Sequence, residues 1–284
     1  MSGIFLQNAC LWIPVPKTKT KSKAGEVGAP IVSRGASDFA SILEDVNLEL
    51  GHGDRVGLIG HNGSGKTSLL RMMAGIYPPT SGSVRIDGSV APMLTSGVGL
   101  SQDLSGIENI LVASRIFGVP HSRFQDLVED VSEFSELGPY LDRPLRTYSA
   151  GMKARLSFGL ITAIDASILL IDEVIGAGDP SFRKRSAARL QKRMKSASLM
   201  VLATHSYSLL EAFCDQLIWL DRGRIRRFGG LRDIYGEYLE HQDKKNKAEL
   251  AARKVSEEES RIRNEIRNER KARKRIAEES GEDS

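Results

Sequence analysis

Apolar residues fall in short blocks whose spacing switches between the alternation of a strand and the three-to-four-residue recurrence of a helix. Residues 4–15 (IFLQNACLWIPV) mix β-branched and aromatic side chains and predict a strand that stops at Pro14 and Pro16. Residues 17–37, rich in Lys, Gly, Ser and Thr, predict an exposed loop. Apolar character resumes at SILEDVNLEL (41–50), and DRVGLIG (54–60) predicts a strand that leads into a helix over 66–74. PPTSGSVRIDG (78–88) reads as turn and strand, VAPML (90–94) as a further strand, and 103–145 as helical. Beyond Arg155 a helix is expected to about Ala163, then the strand SILLI (167–171), a charged helix (181–195), the strand SLMVLAT (198–204) and the helix SLLEAF (208–213). QLIWLDRGRIRRFG (216–229) predicts a hairpin turning at Asp221 to Gly223. Strands that alternate with helices imply a largely parallel α/β sheet with crossover connections, and the all-helical middle is an insertion into it.

The 284 residues suffice for one α/β core. The apolar runs fall well short of the ~20 residues of a membrane-spanning helix. The opening MSGIFLQNACLW has neither a basic leader nor a small-residue cleavage site, so a cytoplasmic chain is expected. Cys10 and Cys214 lie in apolar sequence without metal-ligand spacing and are expected to be buried, reduced thiols. The net charge of +4 invites a nucleic-acid reading, but its distribution argues against one. Residues 17–35 carry five basic side chains and one acid, and the tail from Asp243 carries thirteen basic and eleven acidic, which leaves the folded body slightly acidic. With few large aliphatics, that tail (243–284) is expected to be a solvated, fraying helix or disordered.

Chemistry concentrates in GHNGSGKT, which comprises Gly60, His61, Asn62, Gly63, Ser64, Gly65, Lys66 and Thr67, with Ser68 next in line. It follows a predicted strand and opens a predicted helix, the context in which successive backbone N–H groups converge on a phosphate. There Lys66 would reach the outer phosphates of ATP, glycine would permit the close approach, and the Thr67 hydroxyl would ligate Mg2+. SILLIDE ends a buried strand in two carboxylates, Asp172 to orient the Mg2+ shell and Glu173 to act as general base. A strand ending in Asp-Glu is ordinary solvated punctuation by itself and becomes specific beside the phosphate loop. His205, just past the next strand, is placed to reach the γ-phosphate, against the plainer reading of a packing histidine. In RTYSAGMKARL the Ser149 hydroxyl and the N–H groups around Gly151 form a second oxyanion-binding concavity at a helix start, although a serine there also serves as an N-cap.

GHNGSGKT, YSAGM, SILLIDE and THS, in this order and spacing, resemble ATP-binding cassette ATPases over roughly residues 4 to 240. The resemblance implies a P-loop fold with a mostly parallel core sheet, an antiparallel β subdomain and a helical subdomain at about 95–155, in a domain spanning 1–242. It makes these segments the Walker A, signature, Walker B and switch-histidine motifs, with Asp179 of GAGDP at the D-loop. The family's usual signature is LSGGQ, from which Tyr148, Ala150 and Met152 depart. That departure, with DLSGIENI, ELGPYLDRPLRTYS and DEVIGAGDPSFRKR, resembles the ATP-binding subunits that export capsule, O-antigen or teichoic acid polymers. The resemblance implies a head-to-tail homodimer enclosing two ATP molecules, with Ser149 and Gly151 of one copy completing the phosphate site of the other. It also implies an integral-membrane permease partner docked near 95–147, a peripheral position on the cytoplasmic face of the inner membrane, a polysaccharide handled through the permease, and no nucleic acid. By register Thr95 stands where the family has a metal-sensing Gln, and Phe39 is the nearest candidate for the aromatic that stacks on adenine. An importer ATPase and a soluble cassette ATPase acting on DNA or ribosomes are the alternatives. The YSAGM signature speaks against the first, and the single cassette with its nearly neutral body against the second.

Overall fold

A computed structural model describes residues 2–16, 31–34, 37–94, 99–172 and 180–244 of the chain. The apolar blocks form β1 (Gly3–Val15), β2 (Ile31–Arg34), β3 (Ser37–Leu50), β4 (Arg55–Ile59), α1 (Lys66–Met73), β5 (Ser81–Asp87) and β6 (Val90–Met93). They continue as α2 (Gly106–Ile116), α3 (Phe124–Ser135), α4 (Ala150–Ala163), β7 (Ile168–Asp172), α5 (Pro180–Ser196), β8 (Leu199–Ala203), α6 (Tyr207–Phe213), β9 (Gln216–Asp221) and β10 (Arg224–Gly230). Chain contacts define two units, Met1–Ile234 and Tyr235–Ser284, and within the second the described residues 235–244 are helical.

Among the described residues the first unit holds two sheets. The main sheet runs β10-β9-β4-β8-β7-β6, parallel except for the terminal β10. Every residue of β7 and β8 is buried, which explains why their sequences are continuous apolar runs rather than alternating ones. The second sheet, β2-β3-β1-β5, is antiparallel. Helix α1 packs against strands of both sheets and buries Leu69, Leu70, Met72 and Met73 completely. Each such side chain contributes about 1.5–3 kcal/mol through removal of apolar area from water. The strand-to-helix turn at its start is thereby anchored from below.

Helices α2, α3 and α4 bury a separate cluster around Ile110, Val131, Leu145, Leu156 and Leu160. Helix α2 opens with a reciprocal capping box: the Ser105 hydroxyl accepts from Glu108 N, and the Glu108 carboxylate accepts from Ser105 N. The backbone N–H of Ser105, then its hydroxyl, hold the Glu108 carboxyl below its usual range. Helix α5 ties to this layer through arginines one turn apart. Arg185 and Arg155 share Glu136, while Arg189 grips Asp130 and donates from Nε to Thr162 Oγ1 at 2.8 Å.

The expected parallel α/β sheet and helical insertion are present, with two departures in the boundaries. The loop expected over 17–37 contains β2, because Ile31 and Val32 are β-branched and an edge strand needs only one neighbour, β3. Strand β1 continues through Pro14, since pairing with β5 ends at Cys10 and the missing N–H of Pro14 is not needed on that side. Helix α4 begins at Ala150, the helix start expected around Ser149 and Gly151, with Ser149 as its cap. Cys214 is buried and Cys10 only half-buried, and both are free thiols, so full burial holds for the former alone. Among the described residues no helix is long and apolar enough to cross a membrane. The Lys-rich run at 17–23 and tail residues 245–284 lie outside the described residues.

Candidate functional site

Strand register assembles the site. In the parallel ladder Leu58 of β4 pairs with Ala203 of β8, and Ala203 with Asp172 of β7, so three carboxyl ends finish at one level. The Gly60–Gly65 turn leaves β4 there, Asp172 ends β7, and His205 stands exposed two residues beyond β8. This is the edge at which open α/β sheets bind ligands.

The turn is built around its glycines. A Cβ on Gly60 would lie 2.2 Å from Leu220 O and 2.6 Å from Ser64 Oγ, so no larger residue fits. Gly63 and Gly65 adopt left-handed φ angles of 80° and 104°. The Lys66 ammonium folds back across the turn and donates to Gly60 O at 2.7 Å and His61 O at 3.2 Å. Thr67 Oγ1 donates to the buried Asp172 Oδ2 at 2.7 Å. Among the described residues no side chain caps the start of α1, where a helix normally recruits one. Ser64 Oγ is buried without a hydrogen-bond partner among the described residues. Asn62 is exposed and Ser68 half-buried on the first turn of α1. Convergent backbone donors, an ammonium group and a hydroxyl–carboxylate pair of hard oxygen donors suit a polyphosphate and a divalent cation.

Ser149 and Gly151 belong to the helical layer, at the start of α4. The Ser149 hydroxyl accepts from Met152 N at 3.2 Å, so the serine is an N-cap. Ser149, Ala150 and Gly151 are all exposed, and a Cβ on Gly151 would meet nothing nearer than Ser149 Oγ at 3.8 Å. Nothing within the described protomer requires glycine there, where alanine would favour the helix by about 1 kcal/mol. Tyr148 explains one departure in the signature: its ring is buried in the helical cluster and its hydroxyl donates to Tyr140 O at 2.5 Å. Gly106 makes room for it, since a Cβ there would lie 2.7 Å from that hydroxyl. Gln102 accepts from Lys153 of α4 at 2.6 Å.

Phe39 is half-buried on β3, opposite Pro14 and Val32. It sits four residues along the strand, about 13 Å, from Leu43, which packs beside Gly65. Glu173, Asp179 and Thr95 lie outside the described residues. Two contacts to the turn escaped the sequence reading: Gly223 N donates to Ser64 O at 2.9 Å, and Asp221 Oδ1 lies 3.3 Å from His61 Nε2. A cavity of about 580 Å³ lies apart from this edge, between the α2–α3 connection and α5. Its Arg189 and Arg193 are already paired with Asp130 and Asp165.

Residues 43–176 match the family model described as ABC transporter. The chain is 41% identical over 208 residues to the O-antigen export system ATP-binding protein RfbB of Myxococcus xanthus, a match covering 73% of this chain and 47% of that protein. It thus spans about half of that relative's length. It is 36% identical over 234 residues to the O-antigen export system ATP-binding protein RfbE of Yersinia enterocolitica, covering 79% of this chain and 97% of the relative. Among solved structures it shares its fold with a dimeric ATP-binding cassette in a post-hydrolysis state bound to ADP and Pi. That likeness has a TM-score of 0.59 and 19% identity, and covers 80% of this chain and 98% of the other.

Proposed function

This chain belongs to the ABC transporter family, as one of its ATPases, and we propose that it energises export of a lipid-linked polysaccharide through a separate membrane permease. The observation that carries the assignment is its likeness to O-antigen export ATP-binding proteins, which in the Yersinia relative runs over nearly the whole protein. Export, the polymer and the permease are our reading for this chain, supported by those relatives and by the YSAGM loop.

In this reading the backbone donors of Gly60–Thr67 bind the phosphates of ATP, and Lys66 exchanges its carbonyl partners for the terminal phosphate. Thr67 and Asp172 are the residues that would hold Mg2+, whose charge neutralises the phosphate oxygens when it is bound. Glu173 takes the proton of the attacking water, and His205 donates toward the γ-phosphate. Phe39 and Thr95 are carried as candidate contacts to adenine and to the metal shell. The exposed turn at Ser149 and Gly151, with Asp179, acts on the nucleotide of a second copy, so two chains pair head to tail around two ATP molecules. That requirement supplies the reason for a glycine at 151 which the protomer alone lacks. The assembly works at the cytoplasmic face of the membrane, docked through the helical layer.

Replacing the chain by its Lys66→Ala variant in the producing cell tests the reading. Loss of surface polysaccharide, with its lipid-linked precursor retained inside and the variant still recovered with a multi-span membrane protein, is expected. Unchanged surface polysaccharide, or recovery with ribosomes or DNA instead, would overturn it.

A further inference from the structure

The β9–β10 hairpin is tied to the phosphate turn more closely than packing of adjacent strands requires. Strand β9 runs parallel to β4 with Trp219 opposite Ile59, so Leu220 comes level with Gly60 and Asp221 with His61. The hairpin closes through Arg222 and Gly223, both left-handed at φ 49° and 80°, a conformation that is strained for the non-glycine Arg222. That tight turn is held at both ends. Gly223 N donates to Ser64 O at 2.9 Å, and Gly223 O accepts from Glu44 N at 2.9 Å. A Cβ on Gly223 would lie 2.5 Å from Ile42 O.

The carboxylate of Asp221 is thereby set against the turn, and each of its oxygens has a use. Oδ1 lies 3.3 Å from His61 Nε2, without hydrogen-bond geometry, and Oδ2 lies 3.3 Å from Arg226 NH1. Arg226 in turn stacks 4.4 Å above the Trp219 ring, which keeps it on this face of the hairpin. His61 and Asp221 are 29% and 24% exposed, so their contact is partly shielded from solvent. The other ring nitrogen, His61 Nδ1, lies 2.7 Å from Asn62 O. A carbonyl oxygen only accepts, so Nδ1 donates. The ring is thus clamped between Asp221 and the carbonyl of the next residue.

That clamp has a consequence for the backbone. In a trans peptide the C=O and N–H point in opposite directions, and this structure has no cis peptide among its described residues. With the Asn62 carbonyl drawn to the imidazole, the Gly63 N–H is turned the other way, and the missing Cβ of Gly63 leaves open space. The His61 carbonyl, meanwhile, accepts from both Lys66 Nζ and Ser64 N, at 3.2 Å and 3.1 Å. A phosphate cradle needs its carbonyls directed outward and its N–H groups inward before the anion arrives.

We propose that Asp221 is a positioning residue for the nucleotide: through His61 it fixes the Asn62–Gly63 peptide so that Gly63 N–H faces the bound phosphates. Asp221 touches no reacting atom and acts through His61. This rests on the reading of Gly60–Thr67 as the ATP site. Asp221→Asn removes the charge while keeping the shape of the side chain, and His61→Ala removes the clamp.

The test measures ATP affinity by calorimetry, steady-state ATPase kinetics and the nucleotide-free melting temperature on the full chain, for wild type, both single variants and the double variant. The proposal expects Asp221→Asn to raise Kd and KM for ATP about fivefold, with kcat within about twofold and melting unchanged. The double variant should bind no more weakly than His61→Ala alone, because the two residues act in series. Wild-type affinity in Asp221→Asn, or effects that multiply in the double variant, would remove the positioning role alone. Failure of the wild-type chain to bind ATP would remove the reading of the turn, and the positioning role with it.

Discussion

Thr67 Oγ1 donates its proton to Asp172 Oδ2 at 2.7 Å, joining two segments 105 residues apart at one sheet edge. The hydroxyl opens a helix anchored by four buried side chains and the carboxylate ends a strand that is buried throughout, so neither must be ordered when a cation arrives. Asp172→Asn keeps an acceptor for Thr67 and removes the charge. We expect its Mg2+-dependent ATPase rate to fall about 100-fold or more, with the nucleotide-free melting temperature little changed, as read by a coupled phosphate assay and calorimetry. A rate near wild type would remove Asp172 from the metal site.

Lys66 is held by Gly60 O and His61 O across the turn. Those are carbonyl partners that a phosphate replaces with a charged one. Lys66→Ala should therefore weaken ATP binding about 10–100-fold, the value of one charge-assisted hydrogen bond, measured by titration of a fluorescent ATP analogue. Unchanged affinity would reject the cradle.

Gly151 is exposed, and a Cβ there meets open space. Gly151→Asp should leave the isolated protomer within about 0.5 kcal/mol of wild type, since an acidic residue suits the first turn of α4. It should nonetheless abolish ATP-dependent pairing, because in the proposed pairing the new carboxylate would meet the phosphates bound by the other copy. Light scattering that finds the variant pairing normally would place Gly151 away from the interface.

Burial, reinforced by the charge of Asp215 and opposed by Arg55, pushes the Cys214 thiol from its ordinary 9.0 up to about 12. The thiol is neutral when protonated, so between those values the folded chain keeps a proton that the unfolded chain has released. Its contribution to stability therefore falls as pH rises from 9.0 toward 12, by about 1.4 kcal/mol per pH unit at most. Urea unfolding of Cys214→Ala against wild type should show a shallower alkaline decline in the variant. Parallel curves would contradict the shift.

The sheet edge was legible because its signals are local: GHNGSGKT lies between a strand and a helix, and SILLID is apolar to its last residue. Strand β2 was not, because Ile31 and Val32 are embedded in loop-like sequence and pair only through β3. The Asp221–His61 contact was hidden for a different reason. The hairpin was read from its turn residues, but its place beside the phosphate turn depends on the β4–β9 register, which links residues 160 positions apart. The anchoring of Tyr148 by Tyr140 and Gly106 is likewise a matter of tertiary packing.

The pairing of two copies around ATP is tested most directly by the mass of the Glu173→Gln chain in solution, measured by light scattering with and without ATP. Loss of the proposed general base should trap the bound nucleotide, so the mass should double when ATP is added and return to that of one chain when ATP is removed. A chain that binds ATP yet keeps a single mass, or one that hydrolyses it at the wild-type rate, would contradict the shared site.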